Sequence, residues 1–189
     1  TCYREGSNYE ESEAHYFRAL KLDPEDPLAH ANLSQLYMNM SQPVKCLRHA
    51  NKAIENDPSM AEAYYDRALA NISLGNFADG WPEYDYILGN GKIRKERIYG
   101  MVPRWNGTEG KTLIAYGEQG IGDEISFDSI LADAAKDNDI IFDCGEKLQG
   151  LFRRSFPEID IYGTRNTPVK HWKDWRTIDY SCLIGTLAY

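Results

Sequence analysis

A step of 34 residues constrains this chain more than any other feature. Asp23-Pro24 recurs as Asp57-Pro58, Ala19 as Ala53 and Ala29 as Ala63, and Asn32 is answered by Asp66. A period of that length marks paired antiparallel helices that stack, because one pair alone cannot bury its apolar face. The spacing within each unit has a mechanical reading. Asp26 is placed to cap a helix opening at Pro27, along which Ala31, Leu33, Leu36 and Tyr37 return at helical spacing. Pro43 opens a second helix, in which Ala50 and Ala53 are small enough for helices to cross closely. Asp57-Pro58 ends that helix and turns the chain into the next unit. A helix near Ala61 repeats the plan. The last one runs through Trp81, Tyr84 and Ile87, and Pro82 predicts that it starts late, near Asp79.

These small residues at helix crossings, the aromatic at Tyr37 and a Pro near each repeat end resemble the tetratricopeptide repeat (TPR) over residues 1–88. Ser34 and Ala68 stand where Gly is usual in that pattern, and Arg67 stands where Leu is. The resemblance implies a concave surface, lined by the first helix of each repeat, that holds a protein or peptide partner. It places Asn32 where related proteins hydrogen-bond an extended peptide backbone, and Asp66 one repeat later. A carboxylate accepts hydrogen bonds but cannot donate as an amide does, so Asp66 interrupts a continuous amide ladder. The bland alternative is that both are solvated groove residues. Asn8-Tyr9 corresponds to Asn76-Phe77, so the chain opens inside a repeat, and either further repeats upstream or an excised piece is expected.

Charge and cysteine usage narrow the partners. With 29 acidic against 21 basic side chains the net charge is −8, the wrong sign for a protein that neutralises a phosphate backbone, so no nucleic-acid partner is expected. Cys2, Cys46, Cys144 and Cys182 have neither disulfide-framework nor zinc-knuckle spacing, which fits a reducing, cytoplasmic location. Cys46 and His49 share a helix face, but two ligands do not make a metal site and none is expected. No run reaches the roughly 18 apolar residues of a membrane span.

Beyond Gly89-Asn90-Gly91 the pattern changes. Residues 89–102 read as a linker whose basic cluster, Lys92 to Arg97, is solvated. Residues 103–189 alternate. The strand Thr112–Tyr116 and a glycine-rich turn to Asp123 precede a helix carrying Ile125, Phe127, Ile130, Leu131 and Ala134. A strand at Asp139–Asp143, a helix with Leu148, Leu151 and Phe152, and a third strand at Ile159–Tyr162 follow. That order spells an open parallel sheet of the α/β class. His171, Trp172, Trp175 and the apolar segment Leu183 to Leu187 show less pattern. The turn lacks the dinucleotide-binding glycine spacing, and an acid at its mouth repels a pyrophosphate, so no nicotinamide or flavin cofactor is expected.

A second resemblance rests on four motifs: Trp81-x-x-Tyr84, Pro103-x-Trp105-x-Gly107, Gly110-Lys111-Thr112-Leu113 and Glu118-Gln119-Gly120-Ile121-Gly122-Asp123. They are similar to the junction in bacterial TPR-containing glycosyltransferase-like proteins, whose catalytic part is related to the heptosyltransferases. The architecture also resembles O-linked N-acetylglucosamine transferase. The family implies that residues 103–189 are a Rossmann-like half of a GT-B fold, supplying the acceptor side of sugar transfer from a nucleotide-sugar. Asp123 would be the general base that takes the acceptor hydroxyl's proton. Gly120, Gly122, Glu118 and Gln119 would line the substrate, the glycines letting it approach the backbone. Against this, Asp123 suits the cap of the following helix, and Glu124 suits its first turn, where the dipole favours a carboxylate. A GT-B enzyme needs two such halves. The expectation is therefore a fragment with little transfer activity of its own, binding nucleotide-sugar only if the missing half is present. The alternative is a non-catalytic TPR interaction module.

Overall fold

The computed structural model describes residues 2–88, 96–117, 120–167 and 177–188. The chain divides into two compact units, Thr1–Arg94 and Lys95–Tyr189.

The first unit is all helical: α1 (Cys2–Leu22), α2 (Pro27–Asn39), α3 (Pro43–Asn56), α4 (Ala61–Ser73) and α5 (Phe77–Tyr84), closed by a 3-10 turn at Asp85–Leu88. The Asp26 carboxylate accepts from the N–H groups of Leu28 at 2.9 Å and Ala29 at 3.3 Å. Such a cap is worth about 1 kcal/mol to α2. Helices α2 and α4 end in the same turn. Gln42 N–H donates to Tyr37 O and Ser41 N–H to Met38 O. One repeat later Asn76 N–H donates to Asn71 O and Gly75 N–H to Ile72 O. That pattern needs a left-handed residue, which is Ser41 (φ 55) in one repeat and Gly75 (φ 82) in the other.

Small side chains set the helix crossings. Ala31, Ala53 and Ala63 form one buried cluster, and Leu33, Leu36, Tyr37, Cys46 and Ala70 form another. Where α5 meets α4, a Cβ on Gly80 would lie 2.7 Å from Ile72 Cγ1, so only glycine fits. Helix α5 corrects one expectation, since it begins at Phe77 and carries Pro82 in its interior. The turn that ends α4 delivers Asn76 as the cap of α5, and repeat register outweighs the proline. The N–H that Pro82 lacks would have bonded Ala78 O, and the helix stops two residues later.

The second unit is a parallel sheet with helices: β1 (Thr112–Tyr116), α6 (Ile121–Ala134), β2 (Asp139–Asp143), α7 (Gln149–Ser155), β3 (Asp160–Tyr162) and β4 (Tyr180–Leu183). Strand order is β3-β2-β1-β4, with Ile114 level with Ile141 on one side and Ser181 on the other. Leu113, Ala115, Phe142, Ile161 and Cys182 from the strands pack with Leu131, Phe152 and Ile184. β4 is a strand the sequence pattern did not assign. Its Ser181 N–H donates to Pro103 O at 2.8 Å and its Ser181 O accepts from Trp105 N–H at 2.9 Å. Residues 103–105 thereby satisfy the free edge of the sheet. Among the described residues no helix is long and apolar enough to cross a membrane.

Candidate functional site

Within the helical unit, α1 and α2 border a groove of about 300 Å³. Asn8, Tyr9, Ser12 and Tyr16 come from α1, stepping along one face; Asn32, Gln35, Leu36 and Asn39 come from α2 at the same helical repeat. Leu36 is buried, while Asn8, Gln35 and Asn39 are exposed and Asn32 is half-buried. Ser12 Oγ donates to Asn8 O at 2.7 Å. The side-chain amides of Asn8, Asn32, Gln35 and Asn39 hydrogen-bond no other described residue, whereas Cys46, Ala50, Asp66 and Ala70, which match Ser12, Tyr16, Asn32 and Leu36 one repeat later, are buried beneath α2. None of the described residues lining the groove is charged.

Asp66, one repeat after Asn32, does not line that groove. It is buried, with Oδ2 2.5 Å from Ser34 Oγ, and Ser34 Oγ is also 2.7 Å from Ala31 O. A hydroxyl has one proton, so both contacts are satisfied together only when Asp66 is protonated. The acid then donates to Ser34 Oγ, and Ser34 donates to Ala31 O. Burial pushes the Asp66 carboxyl up to about 6; Ser34 opposes the rise and Glu62 adds to it. Ser34, standing where the repeat pattern has Gly, is thus the partner that lets an acid sit in the core.

Cys46 and His49 also find separate partners. Cys46 Sγ donates to Asp66 O at 3.5 Å, and burial raises its thiol to about 12, where it is a poor metal ligand. His49 Nδ1 lies 2.9 Å from His30 Nδ1, and His30 Nε2 lies 3.2 Å from Pro24 O. A carbonyl only accepts, so in the neutral pair His30 carries its proton on Nε2 and His49 donates from Nδ1; this tautomer assignment follows from the bonds. Burial, then His30 and Arg48, lower His49 to about 4, with Glu13 opposing.

In the α/β unit, Glu118 and Gln119 lie outside the described residues. Gly120 caps α6 with extended backbone, and its N–H donates to Asp123 Oδ2 at 3.0 Å. The cap is therefore Gly120, and Asp123 closes it from the third helical position. Asp123 stays half-buried, and Gly122 has open space where a side chain would project.

Beside this turn lies a network that sequence reading missed. Glu124, fully buried in the first turn of α6, pairs with Arg165 at 2.5 Å and accepts from Gly145 N–H at 2.8 Å. A Cβ on Gly117 would overlap the Glu124 carboxylate, so the backbone at the end of β1 must be glycine there. Asp143, fully buried at the end of β2, pairs with Arg97 at 2.7 Å and accepts from Tyr99 Oη at 2.8 Å. It also accepts from Thr164 N–H and Oγ1, both at 2.9 Å. Arg97 further donates to carbonyls of Thr164, Arg165 and Thr167. It is a largely buried structural clamp, which corrects the reading of a solvated basic cluster at that position; Lys92, Arg94 and Lys95 lie outside the described residues. Burial raises Glu124 above the usual carboxylate range, against the pull of Gly145 and Arg165.

Residues 2–41 match the protein-family model described as TPR repeat. Protein FlbA of Caulobacter vibrioides is 24% identical over 184 residues, covering 88% of this chain and 31% of its own length, and so spans both units. Mitochondrial import receptor subunit TOM70 of Saccharomyces cerevisiae is 32% identical over 96 residues, 51% of this chain and 15% of its own length. Human serine/threonine-protein phosphatase 5 is 29% identical over 86 residues, 46% of this chain and 17% of its own length. The helical unit consists of TPR-like helical repeats, and the chain spans less than a third of each of these relatives.

Proposed function

With TPR repeats as the premise, we propose that this chain is a polypeptide-binding module whose ligand lies along the first helices of the repeats, where Asn32 stands on α2. The observation that carries the reading is Asn32, half-buried on α2 and hydrogen-bonded to no other described residue. A peptide unit offers one N–H and one C=O, and a primary amide answers both. Asp66, held by Ser34, contributes to packing of the repeats instead of to the ligand. Titrating the chain with peptides selected from an array of extended sequences tests the reading. Asn32→Ala should weaken binding by about 1 kcal/mol, and an array without any binder would refute it.

A second reading keeps sugar transfer for the α/β unit. What favours it is the strand order β3-β2-β1-β4, the order of a Rossmann-like half, with the Gly120 turn following β1. Asp123 spends one oxygen on Gly120 N–H and retains lone pairs that can take a proton from an acceptor hydroxyl. The nucleotide-sugar would be held by a second half. Transfer by a longer protein containing this chain, abolished by Asp123→Asn with the fold retained, would establish this reading; transfer unaffected by that substitution would refute the role of Asp123.

A further inference from the structure

The turn that follows residues 103–105 at the edge of the sheet contains a chemical site of its own. We propose that Asn106 is a position of self-modification, at which the side-chain amide is lost as ammonia and the residue becomes aspartate or isoaspartate. The inference goes beyond the peptide-binding reading and does not depend on it. Glycine follows asparagine at Asn106-Gly107 and at Asn90-Gly91, and the latter lies outside the described residues.

Several features of the turn converge. Asn106 and Gly107 are both exposed, and Gly107, at φ 85, has no Cβ to obstruct its own nitrogen. The Gly107 N–H donates to no described residue, so the nitrogen that must attack is not engaged elsewhere. Asn106 Oδ1 accepts from Thr108 N–H at 3.1 Å and from Thr108 Oγ1 at 2.7 Å. Those two donors close the side chain around the Gly107 peptide, and they sit where negative charge appears when a nitrogen adds to the amide carbon. Trp105 fixes the turn from both sides. Its Nε1 donates to Thr108 O at 2.9 Å and its N–H to Ser181 O at 2.9 Å.

Other described asparagines lack that combination. The N–H after Asn138 is bonded to Lys111 O, the one after Asn166 to Thr164 O and the one after Asn56 to Ala53 O. Asn32, Asn51 and Asn71 lie inside helices, where the next N–H belongs to the helical ladder.

The step balances with water alone. The Gly107 nitrogen gives its proton to solvent and bonds to Asn106 Cγ. The Cγ–Nδ2 bond then breaks, and ammonia leaves with a proton taken back from solvent, closing a five-membered imide without oxidation or reduction. Water cleaves one of the two imide C–N bonds. Opening at Cγ restores the main chain with an aspartate that keeps both Thr108 donors; opening at the main-chain carbonyl gives isoaspartate and adds a methylene between the Trp105 and Thr108 anchors.

The test is incubation of the full chain at neutral pH and physiological temperature, followed by trypsin and mass spectrometry of peptide 105–111, which Arg104 and Lys111 delimit. Asn90-Gly91 falls in another tryptic peptide, the one ending at Lys92. Peptide 105–111 should convert from amide to acid over days, while the peptides carrying Asn32, Asn51 and Asn138 stay amidated. Thr108→Val, which removes Oγ1 and keeps the N–H, should slow conversion by at least about threefold, and Thr108→Ser should restore it. Hydrogen exchange at Ser181 should quicken in the isoaspartyl fraction and stay unchanged in Asn106→Asp. No conversion at Asn106, or a rate unaltered in Thr108→Val, would overturn the proposal. Equal Ser181 protection in both products would overturn its effect on the sheet edge.

Discussion

The helical unit settles its buried carboxyl and imidazole groups with neutral partners, whereas the α/β unit sets an opposite charge against each buried carboxylate. Asp66 meets a serine and His49 meets another histidine. Asp143 and Glu124 meet Arg97 and Arg165. The difference follows from topology. In a stack of helix pairs the partners sit on neighbouring helices whose backbones already bond themselves, so a buried side chain need satisfy only itself. At the end of a parallel sheet the loops have no ladder, and Arg97 gathers carbonyls of Thr164, Arg165 and Thr167 while pinning Asp143. Charged clamps tie loops together; neutral pairs leave helices packed but sensitive to protons.

The sharpest break of that contrast is Arg97→Met. It leaves Asp143 buried without its cation and should cost about 3–5 kcal/mol, read by urea unfolding together with loss of hydrogen-exchange protection in β1 and β2. Protection in α2 to α4 should persist. A loss below about 1 kcal/mol would mean that Tyr99 and Thr164 suffice to hold Asp143.

Asp66→Asn should act in the opposite direction. The folded-state value of Asp66 is raised from 3.8 to about 6, so the stability linked to its protonation is complete below the unfolded value and is lost as pH rises through 6. At pH 7.5 the amide removes that penalty and can donate to Ser34 Oγ, a gain of about 2 kcal/mol in thermal unfolding. An unchanged or lower midpoint would contradict the protonated Asp66–Ser34–Ala31 chain.

His49 supplies the counter-slope. Its folded value falls from 6.5 to about 4, so its contribution is complete above 6.5 and fades as pH drops toward 4. The two slopes oppose each other between pH 4 and 6, so the native helical unit should show a nearly flat profile there. In Asp66→Asn the histidine loss should emerge alone, about 1–2 kcal/mol between pH 6.5 and 4. A flat profile in that variant would contradict the neutral His30–His49 pair.

The smallest effect compares the repeats with each other. Ser41 occupies the left-handed position that Gly75 occupies one repeat later. Ser41→Gly should stabilise by a few tenths to about 1 kcal/mol, and Gly75→Ala should destabilise by about the same amount. Equal effects of one sign would show that the two turns are not equivalent.

The same contrast explains what could be read from the residues alone. Asp26 before Pro27 and the alanines at helix crossings are local or one period apart, so pattern reveals them. Asn32 was legible through its repeat position. Its companions Asn8, Gln35 and Asn39 were not, because a polar residue on an exposed helix face looks ordinary until two helices put their faces together. Pro82 misled because a short-range rule competed with the register of α5. In the α/β unit the alternation of strands and helices was plain, but β4 is a four-residue run with Ser181 and Cys182 inside, too short for a periodic signal. The clamp was invisible for a different reason. Arg97, Glu124, Asp143 and Arg165 lie in four separate segments, and nothing in any single segment marks a charge as buried.

On this reading recognition resides in the helical unit, on the first helices that carry Asn32. Fluorescence anisotropy of a labelled peptide selected from the extended-sequence array, with Asn32→Ala/Asn39→Ala and Asp123→Asn compared side by side in the full chain, decides this. The first variant should lose at least about tenfold in affinity and the second none. Loss on Asp123→Asn with binding retained by the asparagine variant would contradict it and move recognition to the α/β unit.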